Sequence, residues 1–169
     1  MLSAGVLVLL TVLTMSANRM LLESSQTSFE SEAVSTAADL ANILLAEIGR
    51  PEKQFDASVT YSYYQSSGEF TIASSFGPNA SESFALPDTS TPFKSIVRYS
   101  DVDDYHNYQR IANGPTINGF LLSVKVFYVT SINPDATSSS RTYSKKVEVT
   151  VTHSLYLPNG IKIYGVFRY

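Results

Sequence analysis

Apolar residues fall along this chain in two different ways. Residues 1–17 (MLSAGVLVLLTVLTMSA) are apolar on every side of a helix, broken only by Ser3, Thr11, Thr14 and Ser16, whose hydroxyls can bond back to helix carbonyls. From Arg19 onward the pattern becomes one-sided. Phe29, Ala33, Ala37, Leu40, Leu44 and Ile48 recur at spacings of three and four, which puts them on one helical face. Glu23, Glu30, Glu32, Asp39 and Glu47 fall among the polar positions, and neither proline nor glycine occurs between Gly5 and Gly49. Gly49 and Pro51 together form a stop signal. The pattern predicts one helix over residues 1–48, roughly 70 Å long at 1.5 Å per residue. Its first third needs apolar surroundings, while its second half has one face for a globular domain and one for water.

Beyond Pro51 the period changes to two. Residues 59–63 (VTYSY) alternate, and a turn at Ser66, Ser67 and Gly68 leads to Phe70, Thr71 and Ile72, which predicts a hairpin. Residues 77–92 are rich in Ser, Asn and Pro and read as an irregular surface segment. Asn118 and Gly119 form a turn before the most strand-like stretch, residues 120–130, and residues 131–140 read as a loop. Residues 145–155 (KKVEVTVTHSL) set Val147, Val149 and Val151 against Glu148, Thr150 and Thr152, a strand with one wet face, and His153 is assigned to the solvated side. Residues 157–160 (LPNG) are expected to turn the chain into a last strand over 161–169. Short connections favour an antiparallel meander. One face of such a sheet must be covered, and the stripe from Phe29 to Ile48 is the available partner. The expected fold class is α+β, with a helical stem over residues 1–50 and an antiparallel β-sheet head over 51–169.

Charge and composition narrow the function. The 169 residues carry 12 Lys and Arg against 15 Asp and Glu, a net charge of -3 with no basic block, so an electrostatic grip on nucleic acid has no support. The absence of cysteine excludes a disulfide framework, a zinc knuckle and a thiol nucleophile. A mean hydropathy of zero averages an uncharged stem with a polar head, since the first charge is Arg19. Seventeen helical residues span about 25 Å, slightly less than the roughly 30 Å hydrocarbon core. The run could be a secretory signal, a membrane anchor or a helix buried in an assembly. A secretory signal begins with a basic segment and ends at a small-x-small site, whereas here Arg19 follows the run and residues 15–17 (MSA) make a poor cleavage site.

A charge-free helix that continues as an amphipathic half and ends in an antiparallel head resembles the type IV pilin superfamily, including minor pilins and secretion pseudopilins. Residues 101–105 (DVDDY) are similar to a segment that precedes the last strands of some minor pilins. Val124, Val126 and Tyr128 follow as a V-x-V-x-Y strand, and residues 145–152 (KKVEVTVT) complete the order. The resemblance implies that a prepilin peptidase removes a short basic leader, making Met1 the mature first residue. It also implies that the stem anchors the subunit in the inner membrane with its head outside the cytoplasm. Pilus assembly machinery would then draw the stem into a helix bundle of identical subunits at the axis of an extracellular filament. The chain departs from bacterial pilins at Gly5, where they carry glutamate, and at Leu22, where they carry a kinking proline. Archaeal-type pilins also lack that glutamate, and an unbroken helix is expected. The assembly interface implied is Met1, Leu2, Ser3, Ala4, Gly5, Val6, Leu9, Leu10, Val12, Leu13 and Ser16, the small residues allowing close helix approach.

Catalytic chemistry is weakly signalled. His106 and His153 are the only histidines, and no nucleophile elbow, phosphate loop or dinucleotide fingerprint occurs. Asp101, Asp103 and Asp104 form the one local acidic cluster, with calcium or a polar capping segment as its two readings. Asn79, Ala80 and Ser81 form a glycosylation sequon in an expected surface loop. The 11 Tyr and 9 Phe read as sheet packing and interface contacts. Neither an enzymatic activity nor a cofactor is expected.

Overall fold

The computed structural model describes residues 2–50, 52–58 and 66–169, with the side chains of residues 2–7 left aside. Helix α1 (Leu2–Ile48) runs unbroken for 47 residues, about 70 Å. Several of its exposed polar groups bond along its own surface. Thr14 Oγ1 donates to the carbonyls of Leu10 and Thr11 at 3.0 and 2.9 Å, and Arg19 pairs with Glu23 one turn on at 3.0 Å. The Gly49 N–H closes the last turn on the Leu45 carbonyl. Pro51, the other half of the expected stop signal, lies outside the described residues.

The head contains a four-stranded antiparallel sheet in the order β1 (Gln109–Ala112), β2 (Phe120–Tyr128), β3 (Ser144–His153), β4 (Leu157–Arg168). Cross-strand partners such as Val124 with Val149 and Val149 with Ile163 stack the apolar positions on one face. A short helix, α2 (Lys94–Arg98), and a 3-10 turn at Asp103–Tyr105 precede β1. The fold is α+β, as the two periodicities require.

Several local expectations are corrected. Phe70, Thr71 and Ile72 form no strand, because they link two 3-10 turns at Ser67–Glu69 and Ala73–Ser75; the expected partner strand, residues 59–63, lies outside the described residues. β1 has only four residues, too short for alternation to stand out. The last turn falls at residues 154–156, so Leu157 and Gly160 belong to β4. His153 explains this shift. It shares the odd parity of Val147, Val149 and Val151, and is buried with them. Its Nδ1 accepts from the N–H groups of Leu155 and Tyr156 at 3.3 and 3.1 Å, while Nε2 donates to the Asn118 carbonyl at 3.1 Å. A buried imidazole thus organises the turn. Gly160, at φ +65, sits where β4 carries extra residues against β3; a Cβ there would stand 2.9 Å from the Val151 carbonyl.

Helix and sheet share one core. Ala33, Ala37, Ala41, Leu44 and Ile48 are fully buried against Val124, Val126, Val147, Val149 and Val151, with Leu40, Ile161, Ile163 and Phe167 partly buried beside them. Three alanines in succession let the helix lie close to the sheet. Ala41 completes the expected stripe, whereas Phe29 remains 38% exposed and stacks on Tyr156 at 5.6 Å. Leu44→Ala should lower unfolding free energy by about 2 to 5 kcal/mol, while Val97→Ala at an exposed site should change it by less than about 0.5 kcal/mol. Urea titration followed by circular dichroism measures both.

Candidate functional site

Three features stand out: the uncovered stem and two buried ionic centres in the head. On the stem, Val8, Leu9, Leu10, Val12, Leu13, Met15, Met20, Leu21 and Leu22 are each 56 to 72% exposed. At 100° per residue they surround the helix, and no described part of the head covers them. Ser16 is exposed among them. Leu2, Ser3, Ala4, Gly5 and Val6 belong to α1, but their side chains, like Met1 altogether, lie outside the described residues. Among the described residues, no helix is long and apolar enough to cross a membrane.

The first ionic centre joins the helix to the head. Glu47 falls among the polar positions of the sequence pattern, yet it is buried and receives Arg110 of β1 at 2.8 Å. Its other oxygen accepts from the hydroxyls of Ser95 in α2 and Tyr105, each at 2.8 Å. Arg110 also lies 4.3 Å from the Phe93 ring centre, with its Nε buried and unpartnered among the described residues. The Tyr108 hydroxyl stands 3.0 Å from Ser95 Oγ and donates to Asp88. Burial works to raise the Asp88 pKa, but donors from Ser90, Lys94 and Tyr108 outweigh it and hold the carboxyl below its ordinary value.

The second centre gathers Asp56, Asp101 and Asp103, which have oxygens within 4.8 Å of one another, around the fully buried ammonium of Lys145. Lys145 Nζ donates to the Phe55 carbonyl at 2.7 Å, to Asp56 at 3.0 Å and to Asp103 at 2.5 Å. The rings of Phe55, Phe76 and Tyr128 flank it at 4.5 to 5.6 Å. Of the acidic cluster considered for calcium, Asp101 and Asp103 belong to this group. Asp104 instead accepts backbone N–H bonds from Ser100 and Asp101 at 2.8 and 3.1 Å. The cation between Asp56 and Asp103 is the lysine, which a divalent ion would have to displace.

Carboxyls gathered this closely cannot all be ionised at little cost. Burial and the neighbouring Asp101 charge push Asp103 up to about 7, although Lys145 pulls the other way. Burial raises Asp104 to about 6 against its two backbone donors. Asp56 is held low, because Ser58, Lys145 and Thr71 outweigh its burial. A cavity of about 270 Å³ opens beside the cluster, lined by Ser58, Thr71, Asn79, Asp101, Asp103 and Asp104. His106 faces β2, its Nδ1 accepting from the Val126 N–H at 3.1 Å, and burial lowers its pKa. Asp56 and Lys145 are absent from the sequence-based candidates. Lys145 had a legible signal, since it shares the inward parity of Val147 on β3.

No protein-family model, curated protein or solved structure matches this chain.

Two outcomes follow. Arg110→Met leaves Glu47 buried without its cation and should cost about 3 to 5 kcal/mol in urea unfolding. Asp104 binds its proton more tightly folded than unfolded, so its stabilising contribution is complete below pH 3.8 and is lost as pH rises through about 6. The Asp104→Asn variant should flatten the decline in unfolding free energy over that window, measured by urea titration at successive pH values.

Proposed function

We propose that this chain is a structural subunit of a type IV pilus-like filament at the cell surface. It polymerises with identical subunits through its apolar stem and displays the β-rich head outward. The observation that carries this reading is the stem from Val8 to Leu22, whose large apolar side chains are exposed in every direction. A monomeric soluble protein rarely exposes so much contiguous apolar surface. Burial among neighbouring stems would contribute roughly 1.5 to 3 kcal/mol for each fully covered side chain.

Before assembly the same stem would rest in the inner membrane, with a prepilin peptidase and the assembly machinery as transient partners. The last turns of α1, fixed in the head by Ala33, Ala37, Ala41, Leu44 and Ile48, would set how the head stands away from the axis. The order of elements, a long helix followed by an antiparallel meander, supports the pilin-like reading. The polar loops of the head supply the outward surface.

Electron microscopy of material sheared from cells expressing the full chain tests the proposal. Wild type should give filaments. Leu9→Asp should abolish them, because a carboxylate in a packed helix bundle is desolvated without a partner, while the detergent-solubilised variant keeps the circular dichroism of the wild-type head. Recovery of wild type only as detergent-extracted monomers would overturn the filament reading in favour of a membrane-anchored extracytoplasmic binding module.

A further inference from the structure

Lys145 is not placed as a structural lysine usually is. Its ammonium has no exposed surface, is flanked by three aromatic rings, and touches two carboxyls whose surroundings differ sharply. Asp56 accepts from Ser58 N and Oγ at 3.2 and 2.5 Å and from Thr71 N and Oγ1 at 2.8 and 3.0 Å. Those donors hold it as a carboxylate, which can relay a proton but does not keep one. Asp103 receives Lys145 on one side and meets the Asp101 carboxyl on the other. Two facing acids favour keeping a proton between them, and a protonated carboxyl is the electrophilic form.

We propose that Lys145 and Asp103 condense to an intramolecular amide, with Asp56 as the proton relay, so that the mature head carries a covalent cross-link between β3 and the 3-10 turn before β1. The ion pair is the reactant state. An amine in hydrogen-bond contact with a carboxyl oxygen stands about 3 to 3.5 Å from its carbon, the near-attack range. The ammonium passes one proton to Asp103 across their hydrogen bond, which leaves a neutral amine facing a carboxylic acid, and the freed lone pair on Nζ, desolvated by the aromatic rings, attacks Cγ of Asp103. Asp101 donates a hydrogen bond to the carbonyl oxygen as charge develops there. The new C–N bond forms, the C–O bond of the Asp103 hydroxyl breaks, and that hydroxyl leaves as water. Of the three ammonium protons, one stays on the amide, one becomes the Asp103 hydroxyl proton, and one is relayed by Asp56 from the nitrogen to that departing hydroxyl, so the water carries two and no net proton is released. No oxidant or cofactor is required. The cavity lined by Asp101 and Asp103 gives the water an exit.

The link would span 42 residues in a chain with no cysteine, restricting the unfolded chain as a disulfide would. It would also replace a buried ion pair, whose desolvation is costly, with a neutral amide. This inference concerns the head alone and is independent of the filament reading.

Mass spectrometry of the purified full-length protein tests it. Wild type should be lighter by one water than its Lys145→Arg variant predicts after allowing for the substitution, because arginine preserves the charge but cannot condense. Proteolysis should release the segment containing Lys145 joined to the segment containing Asp103. Asp103→Asn should lose ammonia instead of water and yield the same linked product, and Asp56→Ala should remain unlinked. Folded wild type at its full mass, with the two segments recovered separately, would overturn the proposal.

Discussion

A helix about 70 Å long can be held by the head only over its last turns, and the Glu47 to Arg110 pair closes that grip. Glu47 stands one residue before the end of α1, and its two oxygens reach α2, the turn containing Tyr105 and β1. Apolar contacts through Ala33, Ala37, Ala41, Leu44 and Ile48 supply the driving force for docking, but they would tolerate sliding along a face of similar side chains. A buried charge does not tolerate it, because any displacement that separates Glu47 from Arg110 leaves both desolvated and unpaired. The pair therefore fixes the register between stem and head, which any load carried along the stem must pass through.

The second ionic centre draws on the same 3-10 turn, whose Tyr105 reaches Glu47 while its Asp103 reaches Lys145. Lys145 enters from β3, Asp103 from the turn before β1, and Asp56 from the segment after the helix. Phe55, Phe70 and Tyr128 pack there as a small second core. A chain without cysteine has to join these distant segments by other means, and buried charge with aromatic cover is the means found here. The surplus of carboxyl groups makes the centre sensitive to proton concentration. Asp104 and Asp103 favour the folded state in acid, whereas Asp56 and Asp88 favour it once they are ionised.

The stem and the head solve different problems of solvation. Within the head, nearly every buried polar group has a partner, Arg110 Nε being the exception among the described residues. On the stem, Thr14 bonds back to carbonyls of the helix, but the apolar surface is not covered by any described residue. In the filament proposed above, a bundle of like stems would supply a complement with the same apolar character on all sides.

What could be read from residue order was whatever depends on local periodicity. The unbroken α1, its change from all-round to one-sided apolarity, and the strands β2 and β3 follow from spacings of three to four and of two. Parity also puts His153 and Lys145 on the inner face of β3, yet the polar character of His153 led to its assignment to solvent, which its burial corrects. Tertiary structure alone decided which partners make those inward polar groups tolerable. Glu47 meets Arg110 63 positions away, and Lys145 meets Asp56 and Asp103 across 89 and 42. No local pattern encodes such pairings, because the cost of burying a charge is set by what the folded chain brings beside it.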